Sequence, residues 1–225
     1  MPIFNGQDLS GWDTWLPSKG LNNDPQGVFK VANGELHILD IPGKENGKGK
    51  GGEQEFGYLA SQQQYSDYRL RLEYQWGDKK FAPRHQQPRD SGLLYHVEAA
   101  NRLWPTRLEM QIKEGETGDL WLLGGSNANT RVRNPSENPP VYQPTGMGHT
   151  TSNRGPNGYR QVVKSAQPER AGWKQVEVVV SGDEAAQIVN GVVTNRMSSI
   201  RGPGGAPLTR GRVLLQAEGA QVAYR

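Results

Sequence analysis

Apolar and polar residues alternate along most of this chain with a period of two, and the helical period is missing. The clearest stretch is 107–113, where Leu108, Met110 and Ile112 fall on one side and Arg107, Glu109, Gln111 and Lys113 on the other. Residues 68–76 repeat the pattern, with Leu70, Leu72, Tyr74 and Trp76 against Arg69, Arg71, Glu73 and Gln75. Shorter strands are predicted at 91–97, 120–123, 173–180, 186–189, 192–197, 212–217 and 221–224, and residues 27–41 give two strands around Asn33-Gly34. Asn190-Gly191 is a second such signal, since both dipeptides accept the positive φ of a two-residue hairpin turn. No window of about 12 residues keeps apolar positions at i, i+3, i+4 and i+7. The pattern predicts an all-β protein, an antiparallel β-sandwich that fills residues 1–225 as one domain.

Three stretches interrupt the alternation. Residues 44–54 are rich in Gly and Lys, 79–89 are cationic with prolines, and 127–161 are rich in Asn, Pro, Gly and Arg. Long irregular segments are uncommon in compact domains and usually carry function or disorder. They are expected to be loops that wall one concave face of the sandwich. The cations of 44–50 and 79–84 are expected in solvated loops, and 127–161 is either a lid over that face or a surface excursion.

The polar side of 107–113 admits two readings. It is the solvated face of an antiparallel sheet, or it is a row of hydrogen-bonding groups about 20 Å long, along which a disaccharide could lie. Trp104 and Trp121 bracket the row, and flat rings beside converging polar groups suit a small-ligand site.

Composition narrows the options. Only 34% of residues are hydrophobic, while glycine (29) and proline (15) are abundant, as many short strands and turns require. The net charge of +3 is too small and too dispersed for a nucleic-acid partner. Without cysteine there is no disulfide, thiolate metal site or thiol nucleophile. No apolar run is long enough to span a membrane, and the start at Met1-Pro2-Ile3-Phe4-Asn5 shows no export leader.

Most catalytic motifs fail on context. Gly47, Gly49 and Gly52 satisfy a dinucleotide-binding spacing, but no strand precedes them and no helix follows. His37, His85, His96 and His149 share no metal-ligand spacing, although His96 could meet Glu109 or Glu114 in space. The nucleophile elbow of serine hydrolases is absent. Glu109, Glu114, Glu116 and Asp119 supply carboxylates for glycoside chemistry, but Glu109 and Glu114 fall on opposite faces of a regular strand unless a turn at Gly115 intervenes. Arg107 and Lys113 are expected to lower the pKa of Glu109, making it a carboxylate base.

Several segments together resemble the family of 3-keto-disaccharide hydrolases, built on a concanavalin A-like jelly roll. They are Phe4-Asn5-Gly6-Gln7-Asp8-Leu9-Ser10-Gly11-Trp12, Gly57-Tyr58-Leu59, Tyr65-Ser66-Asp67-Tyr68-Arg69-Leu70 and Arg89-Asp90-Ser91-Gly92-Leu93-Leu94-Tyr95-His96. The set continues with Glu109-Met110-Gln111-Ile112, Glu114-Gly115, Gly118-Asp119-Leu120-Trp121 and Gly211-Arg212-Val213-Leu214-Leu215-Gln216.

The resemblance implies cleavage of glycosides oxidised at carbon 3, in periplasmic or secreted bacterial proteins, with a carbohydrate as the partner. A ketone at carbon 3 acidifies the proton on carbon 2, so a modest base starts an elimination that water then completes. On this chain the resemblance implies Glu109 as base, with Arg107, Lys113 or Gln111 stabilising the enolate and His96 donating a proton to the leaving group. A divalent metal could take the place of the cationic donors; no other cofactor is implied. Trp104, Trp121 and Tyr95 would stack on sugar faces, with Asp90 and Glu114 among the substrate contacts. The competing expectations are a glycan-binding module without catalysis and ordinary two-carboxylate glycoside hydrolysis.

Overall fold

The computed structural model describes residues 1–41, 55–98, 103, 105, 107–152, 159–164 and 171–225. In chain order its strands are β1 (Trp12–Leu16), β2 (Gly20–Leu21), β3 (Phe29–Ala32), β4 (Glu35–Ile38), β5 (Gly57–Ser61), β6 (Tyr68–Lys80), β7 (Asp90–Val97), β8 (Arg107–Lys113) and β9 (Leu120–Leu123). There follow β10 (Asn127–Val132), β11 (Met147–Ser152), β12 (Tyr159–Val162), β13 (Lys174–Ser181), β14 (Glu184–Val189), β15 (Val192–Arg201), β16 (Arg212–Ala217) and β17 (Ala220–Tyr224).

They form two antiparallel sheets that pack as a jelly-roll sandwich. The first runs β12-β9-β8-β7-β16-β5-β1-β2 and the second β11-β10-β15-β14-β13-β6-β17-β4-β3. Asn33-Gly34 and Asn190-Gly191 make the hairpins between β3 and β4 and between β14 and β15, with all four residues at positive φ. Between the sheets the inward residues of β7 and β8, Leu93, Tyr95, Leu108, Met110 and Ile112, meet Val176 and Val178 of β13 in one continuous core. Burial of these β-branched and long apolar side chains is the main force closing the sandwich. Residues 81–89 cross between the sheets from β6 to β7, and Glu218-Gly219 cross from β16 to β17.

Two of the expected loops contain strands. Residues 127–161 hold β10, β11 and the start of β12, so much of that segment extends the sheets. Its Asn and Gly residues have low strand propensity, yet Ala128, Thr130 and Val132 of β10 alternate inward and bury. The cationic segment 79–89 likewise begins inside β6, and its charges are engaged rather than solvated. Lys79 pairs with Asp40 at 3.0 Å, and Lys80 Nζ donates to the Gln87 carbonyl at 2.6 Å. The glycine spacing at 47–52 and the cations of 44–50 lie outside the described residues.

Candidate functional site

The site is assembled on the outer side of the first sheet, the side turned away from the core. Strand register settles which residues share it, because directly opposed residues point the same way. Lys113 faces Asp90, Gln111 faces Gly92, and Glu109 faces Leu94 on β7 and Trp121 on β9. The polar row of β8 is not a solvated face: Arg107 is 0% exposed, Glu109 5% and Gln111 6%. Beside it lies a small apolar patch of Trp15, Tyr58, Ala60, Leu94, Val97 and Leu214, in which Trp15 stacks on Tyr58 at 5.2 Å.

Glu109 occupies the middle of this row. Arg107 Nη2 lies 3.5 Å from Glu109 Oε2, and the Arg107 Nη1 donates to the Pro105 carbonyl. Gln216, from β16 on the other side of β7, hydrogen-bonds the same carboxylate. The two side chains meet over Gly92. A Cβ there would fall 2.2 Å from Gln216 Oε1 and 2.6 Å from Glu109 Oε1, so only glycine leaves them room. From the opposite sheet, Gln187 Nε2 donates to the Tyr95 hydroxyl at 3.1 Å and to the Glu109 carbonyl at 3.2 Å, pinning the strand from below.

Burial dominates the electrostatics. It raises the pKa of Glu109 against the opposing pull of Arg107, Gln216 and Arg84. The expected lowering is therefore overturned, because desolvation of a fully enclosed carboxylate outweighs one guanidinium at 3.5 Å. A raised pKa makes Glu109 the stronger base once ionised.

Two more carboxyl groups stand beside it. Asp90 opens β7, and Glu218 sits in the crossing turn after β16; both are buried. Arg84, carried in by the other crossing, pairs with Asp90 and lies 3.3 Å from Glu218. The two crossings are tied at the backbone, where the Phe81 N–H donates to the Gly219 carbonyl at 2.8 Å. The Arg84 guanidinium also lies 5.4 Å from the centre of the Phe56 ring. Burial pushes up the pKa of both carboxyls, and mutual repulsion with Glu109 adds to it.

The remaining expected residues divide. Trp121 is half-buried on the face of Glu109. Lys113 stands at the edge, paired with Glu116 at 2.7 Å. Tyr95 does not join them: it points into the core between the sheets and binds Gln187, so it has no free ring face for a sugar. Glu114 accepts from the Arg89 backbone N–H at 2.7 Å and pairs with its guanidinium, which makes it a brace for the chain entering β7. His96, at the far end of β7 from Asp90, is fully buried with φ at +55°. Burial depresses its pKa to about 4, the Arg210 backbone opposing, so the ring is neutral near pH 7. Trp104 lies outside the described residues. Among the described residues no group of three or more His, Asp or Glu side chains is arranged to hold a metal ion.

Arg84, Gln216 and Glu218 were not singled out by the sequence. Gln216 had a signal, since Arg212, Leu214 and Gln216 alternate along the predicted strand 212–217 and put the amide beside an apolar residue. Arg84 and Glu218 come from crossings, where no periodicity points anywhere.

Three carboxyls and two guanidiniums thus share a desolvated patch, with Lys113 at its edge. The arrangement can hold a proton on one carboxyl while another stays ionised, the requirement for paired acid and base work.

A sequence profile of the family described as 3-keto-alpha-glucoside-1,2-lyase-like domain matches residues 1–225. No curated protein matches the chain. Among solved structures, two proteins from Parabacteroides distasonis, each provisionally described as a glycosyl hydrolase, share the fold. The first has TM-score 0.56 and 16% identity, covering 100% of this chain and 90% of the other; the second has TM-score 0.54 and 14% identity, covering 100% and 95%. The carbohydrate-binding module CBM66 from Bacillus subtilis follows, with TM-score 0.50, 7% identity, and coverage of 96% and 92%. At these identities the likeness is one of fold, a concanavalin A-like jelly roll. Among the described residues no helix is long and apolar enough to cross a membrane.

Proposed function

The chain belongs to the 3-keto-α-glucoside-1,2-lyase-like family, a carbohydrate-active family, and from that premise we propose that it cleaves the glycosidic bond of sugars oxidised at carbon 3. Glu109 removes the proton from carbon 2. The C–H electron pair moves toward the carbonyl, where Arg107 stabilises the enolate oxygen, with Gln111 and Lys113 as further donors along the row. The enolate re-forms the ketone as the bond from carbon 1 to the glycosidic oxygen breaks, leaving a double bond between carbons 1 and 2. The departing oxygen takes up a proton, and water adding to carbon 1 completes a hydrolysis if the unsaturated sugar stays bound. Trp121 supplies a stacking face. The reaction belongs outside the cytoplasm, in the periplasm or the medium.

The observation that supports this reading best is the enclosed carboxylate of Glu109, held between Arg107 and Gln216 above Gly92. A binding module needs no ionisable group whose basicity burial has raised. His96 is a poor proton donor, since its buried ring is neutral at the pH where Glu109 must act.

The test uses an aryl glucoside and its 3-keto derivative, assayed with wild type and Glu109→Gln. The expected result is turnover of the keto substrate alone, and a loss of about 10²–10⁴-fold in Glu109→Gln. Turnover of the unoxidised glucoside refutes the keto requirement. Glycan binding without turnover of either substrate would make the protein a binding module.

A further inference from the structure

Resting on the eliminative reading above, we infer that Asp90 and Glu218, bridged by Arg84, share one proton and deliver it to the departing glycosidic oxygen. Nothing in the sequence pointed to Glu218. Arg84 Nη1 touches both carboxyls, pairing with Asp90 and lying 3.3 Å from Glu218. Each carboxyl is therefore within about one guanidinium nitrogen of the other, in a place with little access to water. One cation cannot balance two buried anions, and the third carboxylate, Glu109, is committed to Arg107. Two carboxylates in such a space cannot both ionise cheaply, so the pair keeps a proton.

The charged and titratable groups facing the pair come from every neighbouring element. Asp90 meets Arg84, Lys113, Glu109 and the Tyr224 hydroxyl, while Glu218 meets Asp90, Glu109, Arg84 and Arg107. The carboxyls raise the affinity for a proton and the cations oppose it. Burial is the largest influence on both acids and keeps them well above the ordinary carboxylate range.

An independent feature marks the place as a ligand site. Asp90 Oδ1 and Gln216 Oε1 are buried acceptors with no hydrogen-bond partner, and Gln216 is only 2% exposed. An unmet buried acceptor costs about 1–3 kcal/mol, a cost that a donor hydroxyl removes on binding. Gln216 Oε1 points over Gly92 beside Glu109, so hydroxyls of a bound sugar would bring carbon 2 to the base and the glycosidic oxygen toward the acid.

The steps balance. Glu109 gains the carbon-2 proton, the C–H pair becomes the carbon 1–2 double bond, and the C–O pair leaves with the aglycone oxygen. That oxygen takes the proton of the Asp90–Glu218 pair. When water adds, its proton returns to the pair and Glu109 gives its proton back to carbon 2.

Two 3-keto-glycosides with different aglycones test the assignment. A nitrophenolate leaves without a proton, whereas an alkoxide needs one. Glu218→Gln is expected to lose about 10²–10⁴-fold on the alkyl glycoside, at least tenfold more than on the nitrophenyl one, and to lose the alkaline fall of kcat/KM. Equal losses on both substrates overturn the assignment, and so does an unchanged alkaline limb. Infrared difference spectra of substrate-free wild type add a readout independent of turnover. A protonated carboxyl band at pH 7, absent from Glu218→Gln or from Asp90→Asn should the former not fold, is expected; no such band in wild type overturns the shared proton. Wild type inactive on both keto substrates but showing the band would refute the eliminative reading and with it the delivery step, leaving only the shared proton.

Discussion

Gly92→Ala separates the site from the scaffold. Ordinary contact begins at 3.4 Å, so the new methyl group forces Gln216 Oε1 back by roughly 1.2 Å and Glu109 Oε1 by roughly 0.8 Å. A misplacement near 1 Å of a reacting group costs about 10²-fold in rate, or about 2.7 kcal/mol of transition-state stabilisation. The fold should absorb the change, because the atoms met are the far ends of side chains and Gly92 has no positive φ to lose. Alanine also restricts the unfolded chain, a gain of about 0.4–1 kcal/mol that offsets part of the strain. In a protein of this length that keeps the unfolding midpoint within about 4 °C of wild type. The assay pairs kcat/KM on a 3-keto-glycoside with thermal unfolding of the same preparation. A variant that keeps its midpoint and works within threefold of wild type would refute the claim that Glu109 and Gln216 act from these positions.

Two further perturbations probe the electrostatics. Arg107→Met leaves the enclosed Glu109 carboxylate without its guanidinium, and urea unfolding should show a loss of about 3–5 kcal/mol; adding Glu109→Gln should recover much of it, and an additive double variant would contradict the pairing. The fall in the pKa of His96 from 6.5 to about 4 means that the unfolded chain takes up a proton which the fold refuses. Stability is therefore untouched above pH 6.5 and declines by about 3 kcal/mol as pH falls to 4. His96→Asn keeps a residue tolerant of positive φ and removes the titration. The difference between wild type and variant should shrink across that window, and a constant difference would show that the ring is not held neutral.

The strands that alternate were legible, although β6 runs on to Lys80 past the predicted end at Trp76. β8, β9 and β16 begin and end where the pattern does, and the Asn-Gly turns sit where predicted. β5 escaped notice because both of its faces are buried, which erases the period of two. β10 and β11 escaped because their polar composition imitates a loop. In the site, register carried Arg107, Glu109, Gln111, Asp90 and Trp121 to one face, as alternation required. Tyr95 and His96 show the limit of neighbourhood in sequence: Tyr95 lies one residue out of phase, and His96 follows it where positive φ breaks the regular strand. Arg84 and Glu218 had no pattern to betray them, because a crossing brings distant segments together only once the sheets exist.

The grip of Gln187 on the backbone beneath Glu109 has a consequence for anyone who would transplant this site. Copying Arg107, Glu109 and Gln111 onto the outer face of another sandwich carries only the visible half. The amide that fixes the height of the strand grows from the other sheet, on a residue with no exposure at all. A graft without it inherits the side chains but not their elevation, and the part to be moved is a column through both layers rather than a patch of surface.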